Sequence, residues 1–237
     1  MKHLTPVLVT LLAAGLAHAG DAQPLSLTVS HDIDVGEHKS IATREFSFDI
    51  TLDGDAASVT VDKARASYTA HEMKQRLGTR HLPGQSFSLS DDDAPLIDLG
   101  GMPNPGYSVA NQLVDSLPAI PEKTATVGHH WTTESDTRSL EAWAWGVGRL
   151  THRNKVTAVD GDIVSATTVS EGTLGPMDGA GEMNAAVRRT VHWTFDSKGG
   201  RILTLTLEQD AEGSCAVPHQ GVVEFIQRTR VELAPRS

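Results

Sequence analysis

The 237-residue chain sets 20 Lys and Arg against 30 Asp and Glu, a formal net charge of −10. With no Lys/Arg cluster, that balance argues against nucleic acid or an anionic membrane face as a partner, since both are recognised by concentrated positive charge. Its one cysteine, Cys215, rules out an intrachain disulfide, so the core must stand without covalent staples.

Residues 1–19 read as a signal peptide. Lys2 and His3 precede an apolar run from Leu4 to Leu16, and Ala17-His18-Ala19 forms a small-residue cleavage site before Gly20. The run is too short to cross a bilayer as a helix. The expectation is an exported chain, periplasmic or secreted, with no integral membrane segment once the leader is cut.

From Pro24 the apolar pattern has period two. Leu25, Leu27 and Val29 alternate with Ser26, Thr28 and Ser30, and Phe46, Phe48, Ile50 and Leu52 alternate with Ser47, Asp49 and Thr51. Such alternation puts one face on a core and the other in water. Asp53-Gly54-Asp55 reads as a hairpin turn into Val59 and Val61. Residues 62–77 fit two periods. Ala66, Ala70, Met73 and Leu77 make a helical stripe closed by Gly78, while Ala64, Ala66, Tyr68 and Ala70 alternate as in a strand; the strand-like flanks favour the strand. Strand resumes near Gly84, an acidic turn follows at Asp91-Asp92-Asp93, and residues 100–106 are loop by every local signal.

Tyr107 to Leu117 is the one principal helix the pattern predicts, with Val109, Ala110, Leu113, Val114 and Leu117 on one face. Pro118-Ala-Ile-Pro121 then fixes an extended connector, and Val127-Gly128-His129-His130-Trp131 reads as a turn delivering an aromatic into a strand. Trp143 and Trp145 share a strand face, Val159-Asp160-Gly161-Asp162 is a second hairpin turn, and Gly172 to Gly181 reads as a glycine-rich loop. Strands over 188–196, 201–209 and 221–233 finish the chain, with Ser197 to Gly200 as a turn and Gly213-Ser214-Cys215 as another. The fold class expected is mainly β, built of antiparallel meanders. Two arrangements fit: an N-terminal meander with its helix over 20–117 and a C-terminal meander over 118–237, or one continuous domain. Similar Asp-Gly-Asp turns at 53–55 and 160–162 suggest two copies of one meander, and chance likeness of hairpins explains them equally well.

These turns carry a resemblance. Pro118 and Pro121, then Val127, Gly128 and Trp131, then Val156, Val159, Asp160 and Gly161, and finally Phe195, Asp196, Gly200, Arg201 and Ile202 together resemble a family of uncharacterised exported bacterial proteins. The likeness covers the second half well and the first half loosely. It implies a β-rich fold and an exported address, and no activity. His129-His130 departs from the small acidic or polar pair usual there.

The sharpest chemical pattern is His71-Glu72-Met73-Lys74-Gln75-Arg76-Leu77-Gly78-Thr79-Arg80-His81, which matches the zinc-protease signature H-E-x-x-H-x-x-G-x-x-H except for Gln75. On a helix, His71, Glu72 and His81 would supply two ligands and a base, and Met102 before Pro103 would stand in the place of a Met-turn. Gln is a poor Zn²⁺ ligand, and the flanks read as meander. A coincidental polar strand is the plainer account. His129 and His130 point to opposite faces of a strand and cannot share one ion. His152 and His192 are ordinary hydrogen-bonding histidines, and Cys215 with His219 is a pair of soft ligands lacking companions. No phosphate-cradling glycine motif and no serine-hydrolase elbow occur. Trp143 and Trp145 are the candidate ligand-binding residues, weighed against ordinary core.

The function expected is a non-enzymatic exported module of the binding or envelope-associated kind, with no cofactor. Its partner would be another protein or a small apolar ligand held, as in a lipid carrier, against a concave sheet. The alternative from another class is a degenerate zinc site at His71, Glu72 and His81.

Overall fold

A computed structural model describes residues 23–35, 42–53, 58–70, 73–88, 97, 108, 117–118, 121, 126–140, 145–176, 182–199, 201–217 and 221–236. These residues form eleven strands and no helix. The strands are β1 Gln23–Val35, β2 Ala42–Asp53, β3 Ser58–Ala70, β4 Met73–Arg76, β5 Ser86–Ser88, β6 His130–Leu140, β7 Trp145–Asp160, β8 Ile163–Pro176, β9 Met183–Asp196, β10 Arg201–Val217 and β11 Gly221–Pro235. All lie in one antiparallel sheet of order β4-β3-β2-β1-β11-β10-β9-β8-β7-β6, with β5 also paired to β3.

The first and last strands are neighbours. Leu25 lies opposite Pro235 and Val35 opposite Phe225, and Arg236 donates its backbone N–H to the Pro24 carbonyl. The sheet therefore runs unbroken across the boundary expected at Pro118. Eleven strands make one sheet rather than two.

Period-two patterning explains the strands, and bulges explain where it changes phase. In β3 the inward residues are odd-numbered at Val59 and Val61, then even-numbered at Ala64, Ala66 and Tyr68. Asp62 is the extra residue that shifts the pairing with β2 between Asp49 and Ile50, and one inserted residue reverses every side chain after it. Similar shifts occur between Val156 and Ala158 and between Ile202 and Thr204. Residues 62–70 and 73–76 are thus strand, as the flanks suggested.

Two expectations need correcting. Gly172 to Pro176 belong to β8 and are not loop, and Gly213 to Cys215 lie inside β10 and are not a turn. Glycine sits in these strands because the backbones pack too closely for a side chain. A Cβ on Gly172 would strike the Arg149 carbonyl, and one on Gly213 the Asn184 carbonyl. The helix expected over 107–117 falls outside the described residues except at two points: Ser108, buried in an isolated β-bridge, and Leu117, packed on the core.

One face of the sheet is apolar and buried. Leu25, Leu27, Phe46, Phe48, Ile50 and Val59 are fully inaccessible and join Trp193 and Phe195 from the far strands in one cluster. Ile97 and Leu117, on no strand, pack on this same cluster. A second, smaller cluster at the other end gathers Leu150, Leu174, Met183, Ala185, Ala211, Cys215 and Phe225. The opposite face alternates in charge: Asp32, Arg228, Asp210, Arg188 and Glu171 stand in one transverse row. Unlike neighbours there favour the observed register.

Gly148 tests the close approach of strands. A Cβ there would strike the Thr173 carbonyl, whereas one on Gly175 meets nothing within 4 Å. Gly148→Ala should lower stability by about 2 kcal/mol or more, and Gly175→Ala by only a few tenths. Urea unfolding of the two variants beside the parent measures both.

Candidate functional site

The register places a row of polar side chains across the buried face. From the β6 edge it runs Thr133, His152, Ser170 and Arg189 on successive strands. It continues through Gln209 and Thr229 on β10 and β11, then His31, Arg44 and Tyr68 on β1, β2 and β3. Nine adjacent strands each contribute one residue at the same level. The larger apolar cluster lies on one side of this belt and the smaller on the other.

The belt sits deep. Ser170 is fully inaccessible, Arg44 is 2% exposed and His31 is 7% exposed, while Arg189, Gln209 and His152 are half-buried. Polar groups at such depth must be hydrogen-bonded or cost several kcal/mol each. His152 bridges two serines, with Nε2 at 2.7 Å from Ser135 Oγ and Nδ1 at 2.7 Å from Ser170 Oγ. Arg189 donates from Nε and Nη2 to Gln209 Oε1, at 2.9 and 2.7 Å. His31 Nδ1 lies 2.9 Å from Thr229 Oγ1, and the Arg44 guanidinium sits 5.8 Å above the Tyr68 ring centre, a cation–π distance.

Burial, reinforced by the Arg189 charge, lowers the His152 pKa from 6.5 to about 4. The imidazole is therefore neutral at pH 7, one nitrogen donating and the other accepting.

Beside the belt, a second relay ties the tryptophans to the sheet. Trp193 donates Nε1–H to Thr168 Oγ1 at 3.1 Å, Thr168 donates to Asn154 Oδ1 at 2.6 Å, and Asn154 Nδ2 donates to the Trp131 carbonyl at 3.2 Å. The Trp131 ring packs edge-on to Trp193 at 6.3 Å, and Trp193 stacks on Phe195 at 4.9 Å. Trp131 Nε1 is itself buried and has no acceptor among the described residues.

The expected turn at Val127-Gly128 is present and delivers Trp131. Gly128 has φ 85°, a conformation glycine adopts without a steric penalty, and it donates its N–H to the Val156 carbonyl. His129 stacks on Trp131 at 5.6 Å while His130 is exposed.

The residues singled out by sequence fall differently. Trp143 lies outside the described residues, and Trp145 opens β7 opposite Leu140. Of the zinc-like pattern, His71 and Glu72 lie outside the described residues. Gln75 stands on β4 opposite Tyr68, and His81 lies in the turn after it. Residues 73–76 are extended, so they lack the helical i, i+4 spacing on which that signature depends. Among the described residues, no three His, Cys, Asp or Glu are grouped to hold a metal ion, and no helix is long and apolar enough to cross a membrane. Cys215 is buried in the smaller cluster, and its suggested companion His219 lies outside the described residues.

Sequence reasoning missed the belt. Each member alone is an ordinary polar residue, and only the eight strand registers align them. The nearest signal is a polar residue at an inward position of an otherwise apolar alternation: His31 between Val29 and Ile33, Arg44 between Ala42 and Phe46.

Comparison with known proteins adds no activity: no family model, curated protein or solved structure matches the chain.

Two outcomes test the site. Thr168→Val strips partners from both Trp193 Nε1 and Asn154 Oδ1, and should cost about 2–3 kcal/mol in denaturant unfolding. For His152 the folded pKa lies below the unfolded one. The unfolded chain then takes up a proton first as pH falls, and stability present above pH 6.5 is lost toward pH 4. His152→Gln keeps the hydrogen-bonding shape without that proton, so its Tm should fall less steeply than the parent's over this interval. Since the imidazole is partly open to water, the difference is smaller than a fully buried group would give.

Proposed function

We propose that the protein is a non-enzymatic binding module, exported to the periplasm or beyond the cell, that holds a small apolar ligand against the inner face of its sheet. The observation that carries this reading is the inner face itself. It carries two buried apolar clusters flanking one hydrogen-bonded polar belt. In stability alone, a sheet gains little from arginine, glutamine and histidine at that depth, since well-packed apolar residues are often neutral or more stable there. A ligand with an apolar body and a few polar atoms needs this combination, and ligand sites are commonly lined in this manner. The single-sided curved sheet supports the carrier version, with Trp131 and Trp193 on its inner aspect in the role expected of Trp143 and Trp145. The exported address is supported by the leader-like pattern over 1–19.

Native mass spectrometry of the full chain recovered from an exporting host tests this. Extra mass that leaves on organic extraction and returns after incubation with a total lipid extract is the expected result. A bare polypeptide before and after that incubation overturns it. Stoichiometric zinc in place of an organic ligand also overturns it, and turns attention to His71, Glu72 and His81.

A further inference from the structure

We propose that β6, at one end of the sheet, takes up an extended segment of another protein as a further antiparallel strand, and that this segment carries Lys or Arg at alternate positions. The inference is independent of the ligand reading, because it uses the rim of the sheet and not its inner face.

The two ends of the sheet differ. At one end β4 has four residues, Met73–Arg76, all exposed and with Lys74 and Arg76 among them, and β3 beside it also pairs with β5. A short, charged last strand is a common guard against further pairing. At the other end β6 runs for eleven residues, His130–Leu140, without a proline. Among the described residues it pairs with β7 alone. Val156 donates its N–H to the His129 carbonyl, and along an antiparallel pair bonded and unbonded residues alternate. Trp131, Thr133 and Ser135 therefore turn their backbone groups to β7, while Thr132, Glu134 and Asp136 turn theirs outward. Their N–H and C=O groups, in line along an exposed rim, are a template for one more strand.

Charge names the partner. Residues directly opposite each other share a face, so an added strand sets side chains beside Thr132, Glu134 and Asp136 outside and beside Thr133 and Ser135 inside. Glu134 and Asp136 are 56% and 82% exposed, and the single guanidinium of Arg149 serves both, at 3.3 and 3.7 Å. That trio is net negative, and the neighbouring Arg153 is engaged by Glu171. Lys or Arg in the added strand balances the row, since unlike charges across a strand pair are favourable. Threonine suits the intervening positions, where hydroxyls can pair with those of Thr133 and Ser135. A second copy of β6 lacks this match. Three antiparallel registers keep inner face with inner face at greatest overlap. They set Glu134 opposite Asp136, Glu134 opposite itself or Asp136 opposite itself, and like charges so placed are destabilising.

The full chain, labelled with nitrogen-15 and titrated with end-blocked octapeptides, decides the matter. One peptide alternates lysine with threonine, and a second has glutamate for every lysine. The lysine peptide should bind about tenfold more tightly than the glutamate peptide and slow amide exchange at Thr132, Glu134 and Asp136. Glu134→Lys combined with Asp136→Lys, both at exposed positions, should reverse the order of the two peptides. Backbone geometry supplies a criterion that needs no protein variant. N-methylation of the lysine amides, which face β6, should abolish binding, whereas N-methylation of the threonine amides, which face away, should leave it. No binding of the lysine peptide, protection on another strand, or indifference to which amides are methylated overturns the added strand. Equal affinity for the two peptides overturns the basic partner. A dimer in sedimentation analysis that protects the same three amides makes a second copy the occupant and overturns the proposal as well.

Discussion

A single sheet with one apolar face has to hide that face, and most features of this fold follow from that need. With no second sheet and no helix among the described residues, the eleven strands bring distant inner faces into one cluster, Val59 and Phe48 with Trp193 and Phe195. Residues outside the strands contribute as well, Ile97 and Leu117 among them. Bending a long antiparallel sheet so far requires local concessions in the backbone. The bulges at Asp62 and near Thr157 and Leu203 are three, and the close approaches at Gly148, Gly172 and Gly213 are three more.

The two faces solve different problems. Ion pairs on the outer face, such as Arg153 with Glu171 at 3.2 Å and Arg149 with Glu134 at 3.3 Å, join exposed side chains and add at most about 1 kcal/mol each. Their service is to register, because a one-residue slip would part the unlike charges and turn the apolar set to water. The belt on the inner face is a larger commitment. Its groups lose water on folding and regain partners only in the correct alignment of all nine strands, so it specifies the pairing more sharply than apolar contacts, which tolerate sliding.

Much of the fold was legible in the sequence because period two is a local signal. The alternation at Leu25-Leu27-Val29 and Phe46-Phe48-Ile50 gave strand, face and core together. The Val127-Gly128 turn was readable from glycine chemistry, and the strand over 62–70 from its flanks. Glycine misled where its reason was tertiary. Gly172 and Gly213 looked like loop and turn because close packing against a neighbouring strand leaves no trace in the local sequence. The site was the least legible. His152, Arg189 and Gln209 are widely spaced in the chain, and their alignment is a property of registers that no local pattern encodes. The tryptophans chosen by adjacency, Trp143 and Trp145, were picked by a local rule; Trp131 and Trp193 meet through pairings that also lie beyond local reach.

The adjacency of β1 and β11 bears on the order in which the molecule can be assembled. A chain made from its N-terminus completes β1, β2 and β3 early, yet one edge of β1 stays open until β11 emerges. Throughout that interval Leu25, Leu27 and Val29 lie along a bare strand edge, the sort of template that recruits strands from other molecules. The final strand is consequently the keystone of the sheet. A premature stop before Gly221 takes a strand from the middle and leaves two half-sheets with raw edges, a far heavier loss than that of a strand at the rim of the sheet.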